Sequence, residues 1–236
     1  MNQKPHLILL PGLLCDAALW ADQVVNLYEI ADIEVADLTT HDTMEGLAQS
    51  VLDAAPDEFA LAGLSMGGYV AQEIMRLQPD RITHFALLDT NATADLPDQT
   101  ERRKITMKLA EGGGLNHVAS QMLPALVHPD HLGLDSVGGV YKAMAERVGV
   151  DGFLNQQNAI MHRVDGTADL SKISCPSLVL CGAEDQLCPQ DVHKAMAKAI
   201  GSNATFVALD QCGHLSTLEQ PKATTDALRA WLTGTL

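Results

Sequence analysis

The succession of apolar runs and helical patterns along these 236 residues predicts an α/β protein with a mostly parallel sheet of about six strands flanked by helices. Three observations carry that expectation. Short, continuous apolar runs alternate with helix-length amphipathic segments as far as Asn91. The alternation resumes at Ser177 and continues to the end of the chain. Between them, from about Pro97 to Val164, only helical faces occur. The chain therefore divides into a first core segment (1–96), an inserted helical cap (97–165) and a second core segment (166–236).

The first strand is His6-Leu7-Ile8-Leu9-Leu10, a buried apolar run ended by Pro11-Gly12. Asp16 can cap a helix that carries Leu19, Trp20, Val24 and Leu27 on one face. Ile33 to Ala36 reads as the second strand, Leu38 to Thr43 as a polar loop, and Met44 to Ala54 as a helix. Phe59-Ala60-Leu61-Ala62 is the third strand, and it runs into Gly63-Leu64-Ser65-Met66-Gly67-Gly68. A helix with Val70, Ile74 and Leu77 on one face follows and stops near Pro79. Ile82 to Leu88 is the fourth strand, ending at Asp89-Thr90-Asn91.

In the inserted segment one apolar stripe runs through Leu115, Val118, Ala119, Met122 and Leu123, and a second through Val137, Val140, Tyr141, Met144 and Val148. A shorter one takes in Phe153, Leu154, Ile160 and Met161. Gly112 to Gly114 and Pro124 to Gly133 separate them. Met107, Met122, Met144 and Met161 either line an adaptable pocket or pack the cap onto the body. After Cys175-Pro176, Ser177 to Cys181 is the fifth strand and Gly182-Ala183-Glu184-Asp185 its loop. Pro189 opens a helix with Val192, Ala195, Met196 and Ala199 inside, ended by Gly201. Ala204 to Leu209 is the sixth strand, Gln211 to His214 a loop, and Pro221 the start of a last helix buried by Ala227, Leu228, Trp231 and Leu232.

Composition narrows the function classes. A hydrophobic fraction of 47% and a charged fraction of 19% suit one globular domain with a sizeable core. The formal net charge of −15 argues against nucleic acid and anionic membrane as partners, and 4% aromatic residues leave no platform for stacked bases. The five cysteines, Cys15, Cys175, Cys181, Cys188 and Cys212, show no Cys-x-x-Cys spacing, so they read as free thiols in a reducing compartment. The polar start, Met1 to His6, and the Pro-Gly break after Leu10 do not make a signal segment, and a bulky Leu14 precedes Cys15 where a lipoprotein site needs a small residue. A cytoplasmic protein is expected, with no metal and no organic cofactor.

The chemistry centres on Ser65. A serine projecting from a sharp strand-to-helix turn needs a strained backbone, and the chain passes so close to itself that positions 63 and 67 must lack side chains. Such a nucleophile requires a base, and the base a carboxylate. Catalytic groups of parallel sheets gather beyond the carboxyl ends of the strands. Of nine histidines, His214 alone combines that loop position with a flanking glycine. His117, His128, His131 and His162 fall in the inserted segment, and His41 and His193 look solvent-facing. Asp185 is the first choice for the acid; Asp89, after the preceding strand, is the other and otherwise bonds its own turn. Arg163 and Asp165 lie where the cap returns to the sheet, either as a pair fastening it or with Arg163 meeting a substrate carboxylate.

The order Ser, Asp, His, with Leu10-Pro11-Gly12-Leu13, Gly63-Leu64-Ser65-Met66-Gly67-Gly68, Gly182-Ala183-Glu184-Asp185 and Gly213-His214 followed by Glu219 and Pro221, resembles the α/β-hydrolase fold, in its esterase and lactonase-like branch. Pro11-Gly12 replaces the commoner His-Gly of that family, and the usual first hairpin is missing, which implies six strands in place of eight. The resemblance implies a triad of Ser65, Asp185 and His214 and an oxyanion hole from the backbone N–H groups of Leu13 and Met66. It implies a serine hydrolase for small, neutral carboxylic esters or lactones, monomeric or homodimeric, working through an acyl-enzyme on Ser65. The same triad also suits C–C bond hydrolysis, perhydrolysis or cyanohydrin cleavage, and a non-catalytic ligand-binding relative would keep the fold without turnover.

Overall fold

A computed structural model describes residues 4–235. Of the polar start read at 1–6, positions 1–3 lie outside the described residues. Six parallel strands form one sheet: β1 (His6–Leu10), β2 (Asp32–Val35), β3 (Phe59–Leu64), β4 (Ile82–Leu88), β5 (Ser177–Gly182) and β6 (Ala204–Leu209). Their spatial order is β2-β1-β3-β4-β5-β6. The chain steps outward from β1 to β2, then returns to the other side of β1 and continues one way to β6. That reversal opens a crevice beyond the carboxyl ends of β1 and β3, where parallel sheets place their ligands.

Strand periodicity explains the layers. Leu7, Leu9, Ala60, Ala62, Leu178 and Leu180 face one core, and Ile8, Leu10, Leu61, Phe85, Leu87 and Val179 face the other. Successive side chains point to opposite faces, so a strand buried on both must be apolar at every position. Helices α2 (Met44–Ala54), α3 (Met66–Leu77) and α7 (Gln190–Ile200) cover the second face. The first is covered by α1 (Ala21–Leu27), by the terminal α9 (Pro221–Thr233), and by the helices between β4 and β5. Local signals set the ends: Asp16 accepts the Ala18 N–H at 2.9 Å ahead of α1, and Thr43 accepts the Gly46 N–H at 3.0 Å at the start of α2.

The helices between β4 and β5 are α4 (Pro97–Leu109), α5 (Leu115–Leu126) and α6 (Val140–Met161). Here the details depart from the pattern. No residue of α4 is buried, so it has no apolar stripe to announce it. The glycines at 112–114, expected as a break, form one: Gly113 leaves the helical conformation with φ 88° and kinks the wide turn that joins α4 to α5. Pro124 lies inside α5, in its last turn, where its missing N–H removes a single intrahelical bond. The second and third apolar stripes fall on the two sides of a break inside α6 at Gly149, whose φ of 69° and ψ of −178° are open to glycine, and Val137 of the second stripe lies in the turn just before α6. A short α8 (Ser216–Glu219) precedes α9. In α7 the inner face is His193, Met196 and Ile200, one position round from the face expected, so the solvent-facing role read for His193 is wrong: it is fully buried. Among the described residues all five cysteines are free thiols, and no helix is long and apolar enough to cross a membrane.

Candidate active site

Ser65 sits at the junction of β3 and α3 with φ 54° and ψ −115°, a conformation an L-residue adopts only under constraint. The constraint is close packing. A Cβ on Gly63 would lie 2.2 Å from the Gly67 carbonyl oxygen, and one on Gly67 would lie 2.1 Å from that of Leu10. The Thr90 hydroxyl donates to the Ser65 carbonyl at 2.8 Å and holds the turn from the β4 side. Thr90 is itself fixed: its N–H donates to Nε2 of His193 at 2.9 Å. Burial pushes His193 down to about 4, so it stays neutral, with Nδ1–H free to donate to the Pro189 carbonyl at 3.3 Å.

Three side chains from three loops meet here. Nε2 of His214 lies 2.8 Å from Oγ of Ser65, and Nδ1 of His214 lies 2.8 Å from Oδ2 of Asp185. The other carboxylate oxygen of Asp185 accepts the Leu187 N–H at 2.8 Å and the Cys188 N–H at 2.9 Å. Burial works against charge on both groups, but each offsets it for the other. The imidazole and the two N–H donors hold Asp185 below the usual carboxylate range. The carboxylate raises His214 above its ordinary value. With Asp185 ionised, His214 donates through Nδ1 and can accept the serine proton at Nε2.

Leu13 and Met66 flank the same point. Met66 opens α3 directly after Ser65, and Leu13 lines the cavity that contains Ser65. The loop at 12 packs against the serine: a Cβ on Gly12 would lie 3.4 Å from that of Ser65. Among the described residues neither the Leu13 nor the Met66 N–H donates to a protein acceptor. The next residue, Leu14, has φ 59° and donates its N–H to Oε1 of Gln156 at 2.9 Å. Gln156 is fully buried on α6 and its amide donates to the Leu38 carbonyl at 3.3 Å. So α6 fastens the loop after β1, a link no local pattern announces.

Asp89, the other acid weighed, bonds beyond its own turn. It is fully buried and accepts the Gly182 N–H at 3.0 Å and the Ser216 N–H at 3.2 Å, tying the loop after β5 to that after β6. Burial and the neighbouring Asp185 charge push it up to about 8. Glu184 accepts the Cys212 N–H at 3.0 Å and stands apart from His214. Arg163 pairs with Asp95 at 2.6 Å, while Asp165 accepts the N–H groups of Thr167 and Ala94, so the pair read at 163 and 165 is replaced by one with Asp95. Of the four methionines, Met122 lines the cavity and Met144 is packed in the core.

One residue was noted for its motif and given no role. Glu219 has a fully buried side chain that accepts the N–H groups of Gly213 (3.0 Å) and Leu215 (3.1 Å) on one oxygen. Its other oxygen takes the His128 N–H at 2.7 Å and lies 2.9 Å from Nδ1 of His131. It therefore grips the backbone on both sides of His214. The only side chains with metal-ligand spacing among the described residues are Asp185, Cys188 and His214, whose ligand atoms lie within 4.8 Å of one another. Two of these already bind each other, and burial pushes the Cys188 thiol up, away from the thiolate a metal would need.

The cavity above these groups has a volume of about 140 Å³. A second, of about 40 Å³, shares Tyr69, Asn91 and Arg163 with it.

The model of the Alpha/beta hydrolase family matches residues 7–227. A thermophilic esterase from Thermogutta terrifontis has a structure similar over 100% of this chain and 92% of its own, with 28% identity and a TM-score of 0.90. The enol-lactonase from Burkholderia xenovorans LB400 is similar over 98% of this chain and 92% of its own, with 25% identity and a TM-score of 0.89. In sequence the chain is 24% identical to the pimeloyl-[acyl-carrier protein] methyl ester esterase of Vibrio vulnificus (strain YJ016), over 94% of this chain and 92% of that protein.

Proposed function

This chain belongs to the alpha/beta hydrolase family, and from that premise we propose that it is a serine hydrolase cleaving small carboxylic esters or lactones through an acyl-enzyme on Ser65. It is a hydrolase, and relatives similar to it include an esterase and an enol-lactonase. The observation that carries the finer reading is the pair of 2.8 Å contacts joining Ser65 to His214 and His214 to Asp185.

In this mechanism Oγ of Ser65 attacks the ester carbonyl carbon as Nε2 of His214 takes its proton. Charge gathers on the carbonyl oxygen, where the N–H groups of Leu13 and Met66 and the N-terminus of α3 receive it. Each such donor is worth a factor of about 10²–10³ in turnover. The imidazolium, held by Asp185, returns the proton to the leaving alkoxide. Water then enters, loses its proton to His214 and attacks the acyl carbon, and the acid leaves as Ser65 recovers its proton. No metal or organic cofactor takes part. Residues 97–165 act as a cap over the site. Five free cysteines suit a cytoplasmic location.

A fluorophosphonate probe should label the wild-type protein and leave Ser65→Ala unlabelled, with hydrolysis of a short-chain nitrophenyl ester lost in the same variant. Labelling that survives the substitution, or a folded wild type inert to both reagents, would refute the reading.

A further inference from the structure

The cavity above Ser65 carries a charge opposite to that of the chain as a whole. Acidic residues outnumber basic ones 30 to 15, yet the lining includes Arg103 and Arg163 and, among the described residues, no carboxylate. Behind the wall the buried side chain of Asp95 accepts from both. Arg103 reaches it through Nε at 2.9 Å and Nη2 at 3.2 Å, and Arg163 through Nη1 at 2.6 Å. One carboxylate set against two guanidiniums leaves a positive charge over.

The donors are also incompletely used. A guanidinium carries five N–H groups. Arg163 spends Nε on the Thr93 carbonyl at 2.9 Å, and Nη1 on Asp95 and on the Ile160 carbonyl at 2.9 Å. Its Nη2 has no acceptor among the described residues. The flat face of the same group lies 4.3 Å from the ring centre of Tyr69, which fixes its plane. The Tyr69 oxygen accepts from Asn91 at 3.1 Å, while its own O–H finds no acceptor among the described residues. Burial pushes Tyr69 up to about 12, so it remains a neutral donor. Other nearby carboxylates are engaged elsewhere: Asp165 with the Thr167 and Ala94 N–H groups, and Glu73 with Arg76.

A wall with surplus charge and idle donors, in the same cavity as Ser65 and His214, is the complement of a planar anion. Resting on the serine hydrolase reading, we infer that Arg163, assisted by Tyr69 and Arg103, binds a free carboxylate on the substrate, so that the physiological substrate is an ester or lactone bearing a second, unesterified acid group. The family resemblance implied a neutral substrate; a local field set by two arginines favours an anionic one inside the cavity.

The test compares two esters of equal acyl length, 4-nitrophenyl hydrogen glutarate and 4-nitrophenyl valerate. The wild type should favour the acid ester in kcat/KM by about 10- to 100-fold, the range of hydrogen bonds to a charged group. Arg163→Met should erase that ratio, mainly through KM for the acid ester, and Arg163→Lys should restore part of it. Because Arg163 also ties loops together, Tyr69→Phe serves as a milder second variant, with about a 3- to 10-fold smaller ratio. A wild type that hydrolyses valerate as well as or better than the glutarate half-ester overturns the anion subsite and leaves the hydrolase reading standing. If neither ester turns over but Ser65 still labels with fluorophosphonate, protection decides. Monomethyl glutarate protecting at least about 10-fold better than dimethyl glutarate supports the subsite, and equal or absent protection overturns it. Loss of labelling altogether removes the hydrolase reading on which the subsite rests.

Discussion

Glu219→Gln is the substitution that most directly probes how the base is held. The change is isosteric and leaves the fold's outline alone, but an amide has one acceptor oxygen where the carboxylate has two. The four donors around Glu219 divide between its oxygens, Gly213 and Leu215 on one, His128 and His131 on the other. Turned one way, the glutamine leaves the Gly213 and Leu215 N–H groups facing its NH₂; turned the other, it leaves the His128 N–H so, while His131 can change tautomer and accept. Hydrogen bonds to a charged group are worth about 1.5–3 kcal/mol each, so losing one or two costs about 1.5–6 kcal/mol. In a chain of this length that lowers the melting temperature by on the order of 10 °C. Activity should fall as well, because the bonds to Gly213 and Leu215 bracket His214. Small displacements of a catalytic group cost up to about 10²-fold. Thermal melts and nitrophenyl ester kinetics on the same preparation check both effects. A variant with unchanged midpoint and unchanged kcat would show that the backbone around His214 holds its place without Glu219.

The remaining predictions concern the acid, the pH profile and the loop after β1. Asp185→Asn should lower kcat by about 10⁴-fold, whereas Asp89→Asn, whose carboxylate touches neither imidazole nitrogen, should cost less than about 10²-fold; equal losses would return the choice of acid to open question. Since Asp185 raises His214 against the effect of burial, and only the neutral imidazole accepts the serine proton, kcat/KM should rise with pH through a midpoint above 6.5. In Asp185→Asn that midpoint should move to lower pH, and titration of kcat/KM in both proteins would expose an unmoved limb. Gln156→Leu keeps the bulk on α6 but leaves the Leu14 N–H buried without a partner, which costs about 1–3 kcal/mol. Its kcat should fall more than its KM rises, since the loop it holds carries the Leu13 N–H; a variant with wild-type kcat would detach that loop from turnover.

The sequence by itself determined what depends on neighbours along the chain. Apolar runs at 7–10, 59–62 and 177–181 read as strands buried on both faces, and the glycine at 63 is dictated by a contact within one strand-turn-helix unit, while the one at 67 makes room for the Leu10 carbonyl of the neighbouring strand. The loop positions of Ser65, Asp185 and His214 followed from the same local punctuation. Tertiary structure alone decided what depends on residues far apart. Gln156 and Leu14 are separated by 142 positions, and Arg163 and Asp95 by 68. Glu219 and His128 are separated by 91. No periodicity encodes such pairs. A buried polar side chain must find partners for its donors and acceptors wherever the fold presents them. His193 was misplaced for the same reason, since an imidazole facing inward on α7 becomes sensible only once Thr90 is known to meet it. The helix α4 escaped notice from the opposite cause: with no buried face, it leaves no hydrophobic signature, yet it delivers Arg103 to the cavity wall. Net charge, a sum over the surface, likewise could not report the sign of the field inside one cavity, which the placement of two arginines sets.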